Sequence, residues 1–563
     1  MVRCRQSQPR RGICVTAGVA IAWVLSHWTT PTVAQVIPDS TLGVEGSVVT
    51  LDVMIQGLPA DQIDGGAIRG ANLFHSFSEF NVGAGQRVYF ANPTGIDNIL
   101  SRVTGTDVSD ILGTLGVNGG ANLFLINPNG IVFGKNAQLD VQGAFVASTA
   151  DEWVFENGTF SATNPQAPPL LTINLTPGLQ YGSNYQGAIA SSGRLTVGGD
   201  LILAGRNLNL NNQVQSGGNL TLLATDTLKV RDSVASPFIA SAMGQLLVQG
   251  TQAVDIFALN HPDSGLFSGG DMVLRSSNTV SADAHFWSGG NFRIEQLDSG
   301  LGNLSSPYDP VIRARGDVSF NSYTGPSLHI LAGGSVTISG DVAIEGVEAN
   351  ADAINGDIIR LSDGTEITIN GSTRPTLDIR AGTTDFGTPN AAPLDNFNPF
   401  GDFDPVPTID AVGTGTSADI RIAGLIDIQA ADGLVLLTNQ YRPNLSLSGG
   451  VITAPLIFTD DFERRFVGNS GSIFIDARGN IEVGQIDTSS FSGNGGEIRI
   501  ISGQNITFTD TVDSSVRPDD GLGFGVGGNI TVTAQEEIVL PSVNSSIRSA
   551  TLGQGKGGDI EIN

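Results

Sequence analysis

A short phrase keeps returning in this chain: one or two glycines, a small polar residue, then a strand with apolar residues at every second position. It reads GGDLIL at 198, GGNLTL at 217, GQLLV at 244, GGDMVL at 269, GGNFRI at 289, GDVSF at 316, GGSVTI at 333 and GDIIRL at 356. The glycines before the polar residue stand at 199, 218, 244, 270, 290, 316, 334 and 356, with gaps of 19, 26, 26, 20, 26, 18 and 22. GSIFI at 471, GGEIRI at 495, GGNITV at 527 and GGDIEI at 557 take it up again. A unit of this size holds two or three short strands, which fits one coil of a parallel β-helix. Alternation puts Ile530 and Val532 inside and turns Thr531 and Thr533 to water. Glycine marks the sharp corner, and each coil buries its apolar face only against the next. Propeller blades would need units near 40 residues with recurrent aromatic signatures, and leucine-rich repeats a fixed Leu and Asn spacing; neither is present. At ~4.8 Å per stacked strand, roughly 15 to 20 coils would make a rod on the order of 70 to 100 Å long.

Composition agrees with an all-β solenoid. The 563 residues include 73 glycines, and only 15% are charged, a profile of many turns and many β-branched strands. The net charge of −27 repels phosphate backbones, and Lys135, Lys229 and Lys556 make no basic patch, so nucleic acid is excluded as a partner. Arg3, Arg5, Arg10 and Arg11 precede an apolar run from Ile13 to Trp28, and Thr32-Val33-Ala34 follows. That order is an export signal with cleavage expected after Ala34. The apolar run is shorter than the ~20 residues that span a bilayer, and no later segment approaches that length, so no transmembrane segment is expected in the mature chain. Both cysteines, Cys4 and Cys14, fall within the signal. A thiol-free mature chain entering an oxidising compartment fits passage through a second membrane while unfolded, as well as simple composition drift.

Six segments follow: 1–34 signal, 35–150 N-terminal domain, 151–187 connecting segment, 188–370 repeats, 371–411 loop or linker, and 412–563 repeats ending without a cap. The 371–411 stretch is rich in Pro, Asp and Phe, and it reads as a surface loop extruded from the solenoid. The uncapped end suggests a fragment of a longer protein, or an end that something else covers. His75, His261, His285 and His329 show no metal-ligand spacing, and no metal or cofactor is expected. GFGVGG at 523 matches a dinucleotide fingerprint by letters but leads into a strand, the wrong context. Carboxylates such as Asp255, Asp271 and Asp283 read as solvated turn residues, no catalytic residue is assigned, and the chain is not read as an enzyme.

The opening third carries a different signature. NLFHSFSEFNV (72–82), DNILSRVTG (97–105) and ANLFLINPNGIVFGKNAQLDVQGAFVAST (121–149) closely resemble the filamentous haemagglutinin N-terminal domain, the secretion domain of two-partner secretion exoproteins of Gram-negative bacteria. The family's later Asn-Pro motif is intact as Asn127-Pro128-Asn129-Gly130-Ile131. The earlier one falls at Asn92-Pro93-Thr94-Gly95-Ile96 and departs at its last two letters. The resemblance implies a right-handed, single-stranded parallel β-helix capped by its secretion domain. It also implies export through an outer-membrane β-barrel transporter with periplasmic POTRA domains. Asn127 to Ile131 would be the secretion motif, and Asn92, Pro93 and Gly95 a degenerate first copy. NLFHSF would recognise the transporter by β-augmentation while extended. The expected function is a secreted or surface-exposed adhesin-like exoprotein that binds an unknown carbohydrate or protein ligand. The alternatives are a β-helical polysaccharide-degrading enzyme and the delivery stalk of a larger toxin or effector.

Overall fold

The computed structural model describes residues 35–155, 158–166, 178–180, 186–308, 310–348, 354–386, 415–460, 467–518, 524–543 and 545–563. The export signal with Ala34, and most of the 371–411 stretch, lie outside the described residues.

Three strands make each coil. Ala188–Ser191, Arg194–Val197 and Leu201–Gly205 form one, and Asn207–Asn211, Gln213–Ser216 and Leu220–Ala224 the next. The first strand of a coil pairs in parallel with the first of the next, the second with the second and the third with the third. Three parallel ladders result, and the fold is a parallel β-helix. Registers keep apolar positions aligned over long distances. In the middle ladder Ile312 stands on Ile330, then Ile379, Leu437, Ile475, Ile500 and Val532. All seven are fully buried in one continuous core cluster. A one-residue slip anywhere would turn a whole row outward, so the alternation itself fixes the register.

The glycines have a steric cause. A Cβ on Gly217 would strike the carbonyl of Gly198 one coil below, and one on Gly496 the carbonyl of Gly471. Backbones meet at these corners with no room for a side chain. Side-chain amides complete the corners: Asn98 Nδ2 donates to Asn72 Oδ1 at 2.9 Å, Asn122 Nδ2 to Asn98 Oδ1 at 2.9 Å, and Asn122 Oδ1 accepts from Ala144 N at 2.8 Å. Each of these links joins one coil to the next and satisfies a polar group at the bend.

The repeat phrase behaves in three ways. From 198 to 333 it opens the third strand of successive coils, as in Leu201–Gly205, Leu220–Ala224 and Leu246–Gly250. From 471 onward it opens the middle strand, as in Ser472–Ala477, Ile498–Ser502 and Ile530–Ala534. The phrase at 356 belongs to no coil: Ile358–Arg360 pairs antiparallel with Glu366–Thr368 in a separate hairpin, which corrects its reading as a coil unit. The stretch expected to be loop from 371 also contains Thr376–Arg380, a middle-ladder strand whose Leu377 and Ile379 are fully buried. Its alternation is ordinary; the prolines around it hid the strand.

Candidate secretion site in the capped N-terminal coils

Antiparallel strands close the N-terminal end of two ladders. Asn72–Phe80 lies parallel to Asn98–Val103 on one edge, while Val36–Pro38 and Ala67–Arg69 pair antiparallel along the other. Leu58–Gly65 is parallel to Arg87–Ala91 and antiparallel to Ser47–Ile55. The NLFHSF segment is therefore a fully buried strand with both edges taken. Along the strand Asn72–Phe80, Leu73, Phe77 and Phe80 enter the solenoid core, while Phe74 points the other way into a second cluster with Phe124, Trp153 and Phe160. A partner pairing with this strand by augmentation must meet it before the cap closes.

That second cluster is built by the segment read as a connection. Glu152–Phe155 pairs antiparallel with Gly158–Ser161 and with Gly178–Gln180. This small sheet covers the outward face of the third ladder, where Leu100, Phe124, Ile126 and Val146 would otherwise meet water. Trp153 edges onto Phe124 at 5.6 Å and Phe160 onto Phe74 at 4.9 Å.

Arg102 joins cap, coil and cover. Fully buried, it donates from Nε to Ser76 Oγ at 2.9 Å, from one terminal nitrogen to the Ser161 carbonyl at 2.9 Å, and from the other to Thr41 Oγ1 at 2.8 Å. Its guanidinium lies 4.1 Å from the Phe160 ring centroid. Asp39 accepts from Thr41, Ser76 and Thr104 around it. Burial pulls the Arg102 pKa down to about 10, against the pull of Asp39. His75, also fully buried, faces Ser47 Oγ from Nδ1 at 3.0 Å, and burial pushes its pKa down to about 3. It is neutral at physiological pH.

The Asn127 turn links the third strand of one coil, Asn122–Ile126, to the first strand of the next, Ile131–Phe133. Asn127 is fully buried. Its Nδ2 donates to the Asp107 carbonyl and to Ser109 Oγ, both at 2.9 Å, in the coil before. Its Oδ1 accepts from Asn129 N at 3.0 Å, an Asx turn. Asn129 reaches back from Nδ2 to the Gly105 carbonyl at 2.8 Å. Gly130 holds φ of 130°, and Ile131 is buried in the core. Asn129 is exposed and Pro128 half-buried, so these two alone present the motif to solvent.

The Asn92 turn occupies a different corner, between Arg87–Ala91 in the middle ladder and Asn98–Val103 in the third. Asn92 Nδ2 donates to the Ile96 carbonyl at 2.9 Å, and its Oδ1 accepts from Ala121 N at 3.1 Å one coil on. Gly95 takes φ of 86°, while Pro93, Thr94 and Gly95 are exposed. In both motifs, then, the Asn side chain clips neighbouring coils together. The two turns share chemistry and do not share a position in the coil. The carboxylates singled out in the sequence make local contacts: Asp271 Oδ1 accepts from Asn291 N at 2.7 Å and Asp255 pairs with Arg231 at 2.5 Å. Asp283, expected to be a solvated turn residue, is instead buried at the end of the strand Val280–Asp283 and accepts from Ser306 Oγ at 2.6 Å.

Among known proteins, the family match falls on this end of the chain. Residues 34–294 match the family model of the TPS secretion domain. Over these residues the chain is similar to the TPS secretion domain. A heme/hemopexin-binding protein of Haemophilus influenzae is 32% identical to the chain over 123 residues, which are 22% of this chain and 12% of that relative's length. The crystal structure of the HMW1 secretion domain from Haemophilus influenzae aligns over 92% of this chain and 100% of that one, at 13% identity with a TM-score of 0.23. The fold assignment rests on the strand pairing above. The match runs past residue 150, through the Trp153 cover and on into the coils as far as residue 294 in the strand Phe292–Glu295.

Sequence reasoning missed Arg102 and the aromatic cover. A signal was available in EWVF and GTFS, where Trp153, Phe155 and Phe160 stand in two short strand-like runs two residues apart. Arg102 sat in a resembling segment with nothing to show that its side chain would point inward.

Proposed function

We propose that this chain is the secreted member of a two-partner system, exported across the outer membrane of a Gram-negative bacterium and acting outside the cell as an adhesin-like β-helical exoprotein. The observation that carries this reading is the match of residues 34–294 to a secretion domain, continuous with the coils that follow. The partner in export is an outer-membrane β-barrel transporter with POTRA domains. Asn127 to Ile131 form the motif the transporter reads. Because Asn127 is wholly consumed in the folded coil, that reading takes place on the unfolded chain. The aligned coils then present a ligand-binding surface for a carbohydrate or protein.

Adherence tests the second half of this reading. Cells that release or display the chain should bind carbohydrate- or protein-coated surfaces, and cells lacking it should not. Equal adherence by both would remove the adhesin assignment while leaving the export route standing.

A further inference from the structure

Between the first-ladder strand Val342–Ile344 and the middle-ladder strand Thr376–Arg380 the chain leaves the solenoid. There it forms the hairpin of Ile358–Arg360 with Glu366–Thr368. This hairpin lies on the outward face of the middle ladder: Ile359, Leu361, Ile367 and Ile369 pack on Val311, Leu331, Leu434, Leu436, Phe474 and Ile501. Its backbone hydrogen bonds are its own, as between Leu361 N and Thr365 O or Ile369 N and Asp357 O. Among the described residues no backbone–backbone hydrogen bond joins residues 354–369 to a coil. Among the described residues the polar links to the rest of the chain run through side chains, Asn355 Nδ2 donating to Glu348 Oε1 at 2.7 Å among them. Arg380 bridges to Asp357 at 2.9 Å, Asp476 accepts from Ser362 N and Oγ at 2.8 and 2.6 Å, and Arg499 bridges to Asp363 at 2.8 Å.

At one edge of this contact is a fully buried ion network. His329 Nδ1 lies 3.3 Å from Asp378 Oδ2, and its Nε2 lies 3.4 Å from Glu348 Oε2. Arg380 closes on Asp378 at 2.7 Å, and its guanidinium stacks 4.7 Å from Tyr441, whose hydroxyl faces Asp385. A neutral imidazole has one N–H and one lone pair, so one of these two carboxylates would face a lone pair. Nε2 and Oε2 meet at ion-pair distance without a hydrogen bond, and with Asp378 on the other ring nitrogen the two carboxylates favour imidazolium. Without its charge, Asp378 and Glu348 would lose the cation between them, and Arg380 would remain on Asp378 and Asp357 alone.

We propose that the hairpin of residues 354–369 is a lid over the apolar face of the middle ladder, latched by His329 imidazolium. It opens as a unit, while the coils beneath stay closed, when that charge is removed. An element with its own hydrogen bonds and only side-chain links to the rest opens below the cost of global unfolding. Burial alone would push the His329 pKa down, but Asp378 and Glu348 outweigh it and hold it at about 10. The latch is therefore at full strength below the ordinary histidine value near 6.5, weakens as pH rises, and is lost through about 10. Asp378 is held below the usual carboxylate range despite burial, mainly by Arg380, and keeps its charge throughout. Opening would expose Leu331, Leu434, Leu436, Phe474 and Ile501 as a flat apolar surface.

Hydrogen exchange of the full chain, corrected for intrinsic rates, tests the lid. At pH 7.5, His329→Gln should speed exchange of hairpin amides at Ile359, Leu361 and Ile367 at least about a hundredfold, with the amides of Ile330 and Ile379 unchanged. Raising the wild type from pH 7.5 to 10.5 should do the same by about a hundredfold, and His329→Gln should be insensitive to that change. Asp357→Asn, at the half-exposed rim, should speed the hairpin about tenfold and spares the buried histidine, so it serves if His329→Gln fails to fold. Hairpin and ladder amides opening together, or a hairpin indifferent to Asp357→Asn, would overturn the proposal.

Discussion

Replacing Asn127 with Ala removes one side chain that holds three backbone or hydroxyl groups in place. The Asp107 carbonyl and the Asn129 amide lie near solvent and can recover water, so each lost bond costs about 1 kcal/mol. Ser109 Oγ is fully buried and loses its Asn127 donor, for about 1 to 3 kcal/mol. The sum is about 3 to 5 kcal/mol, applied at one corner of one coil. A long solenoid does not unfold in one step, so a single unfolding free energy would blur this. Native-state hydrogen exchange resolves it. The Asn129 amide, which donates to Asn127 Oδ1, and the Ser109 amide, which donates to the Gly130 carbonyl at 3.1 Å, should exchange at least about a hundredfold faster, at 1.36 kcal/mol per decade. Amides two coils away, such as Leu208, should not change. Protection of Asn129 and Ser109 within about threefold of wild type would refute the assignment of Asn127 as a structural clip. It would leave the motif's sequence to be explained by recognition alone.

Other outcomes follow from the same geometry. Pro128→Ala keeps the Asx turn and should cost no more than about 1 kcal/mol, through the unfolded chain, read by the same exchange experiment. Arg102→Ala strips cap, coil and cover of a shared donor and should destabilise the N-terminal coils by about 3 to 5 kcal/mol, seen as an earlier denaturant transition in Trp153 fluorescence. Ile500→Ala should cost about 2 to 5 kcal/mol locally, while the outward Thr531→Ala should stay within about 0.5 kcal/mol. His75 must stay neutral to remain buried, so the unfolded chain gains a proton first. The cap should therefore lose about 1.4 kcal/mol per pH unit as pH falls below 6.5 toward about 3, and His75→Gln should remove that dependence.

The solenoid was legible because its strongest constraint is local. Alternation and corner glycines are forced at every coil, so Leu201, Leu220 and Leu246 announce themselves in the sequence and stack in the structure. What stayed hidden depends on pairing partners, which no local pattern specifies. GDIIRL at 356 has the same letters as a coil unit, yet its strand finds a hairpin partner ten residues on instead of the next coil. Thr376–Arg380 alternates as well as any coil strand, but its proline neighbours drew it into the loop. The motif was read correctly as a turn. That Asn127 faces inward, and that Asn92 clips a different corner, required the stacking of three coils. Arg102 and His329 were invisible for the same reason: a buried charge is recognised by what surrounds it.

The most direct test of the central claim is release of the full-length chain from a Gram-negative host, with and without the transporter. The account predicts full-length protein outside the cell only when the transporter is present, and loss of that release when residues 72–149 are deleted although the signal is still processed. Release without any transporter, or normal release of the deletion, would contradict it.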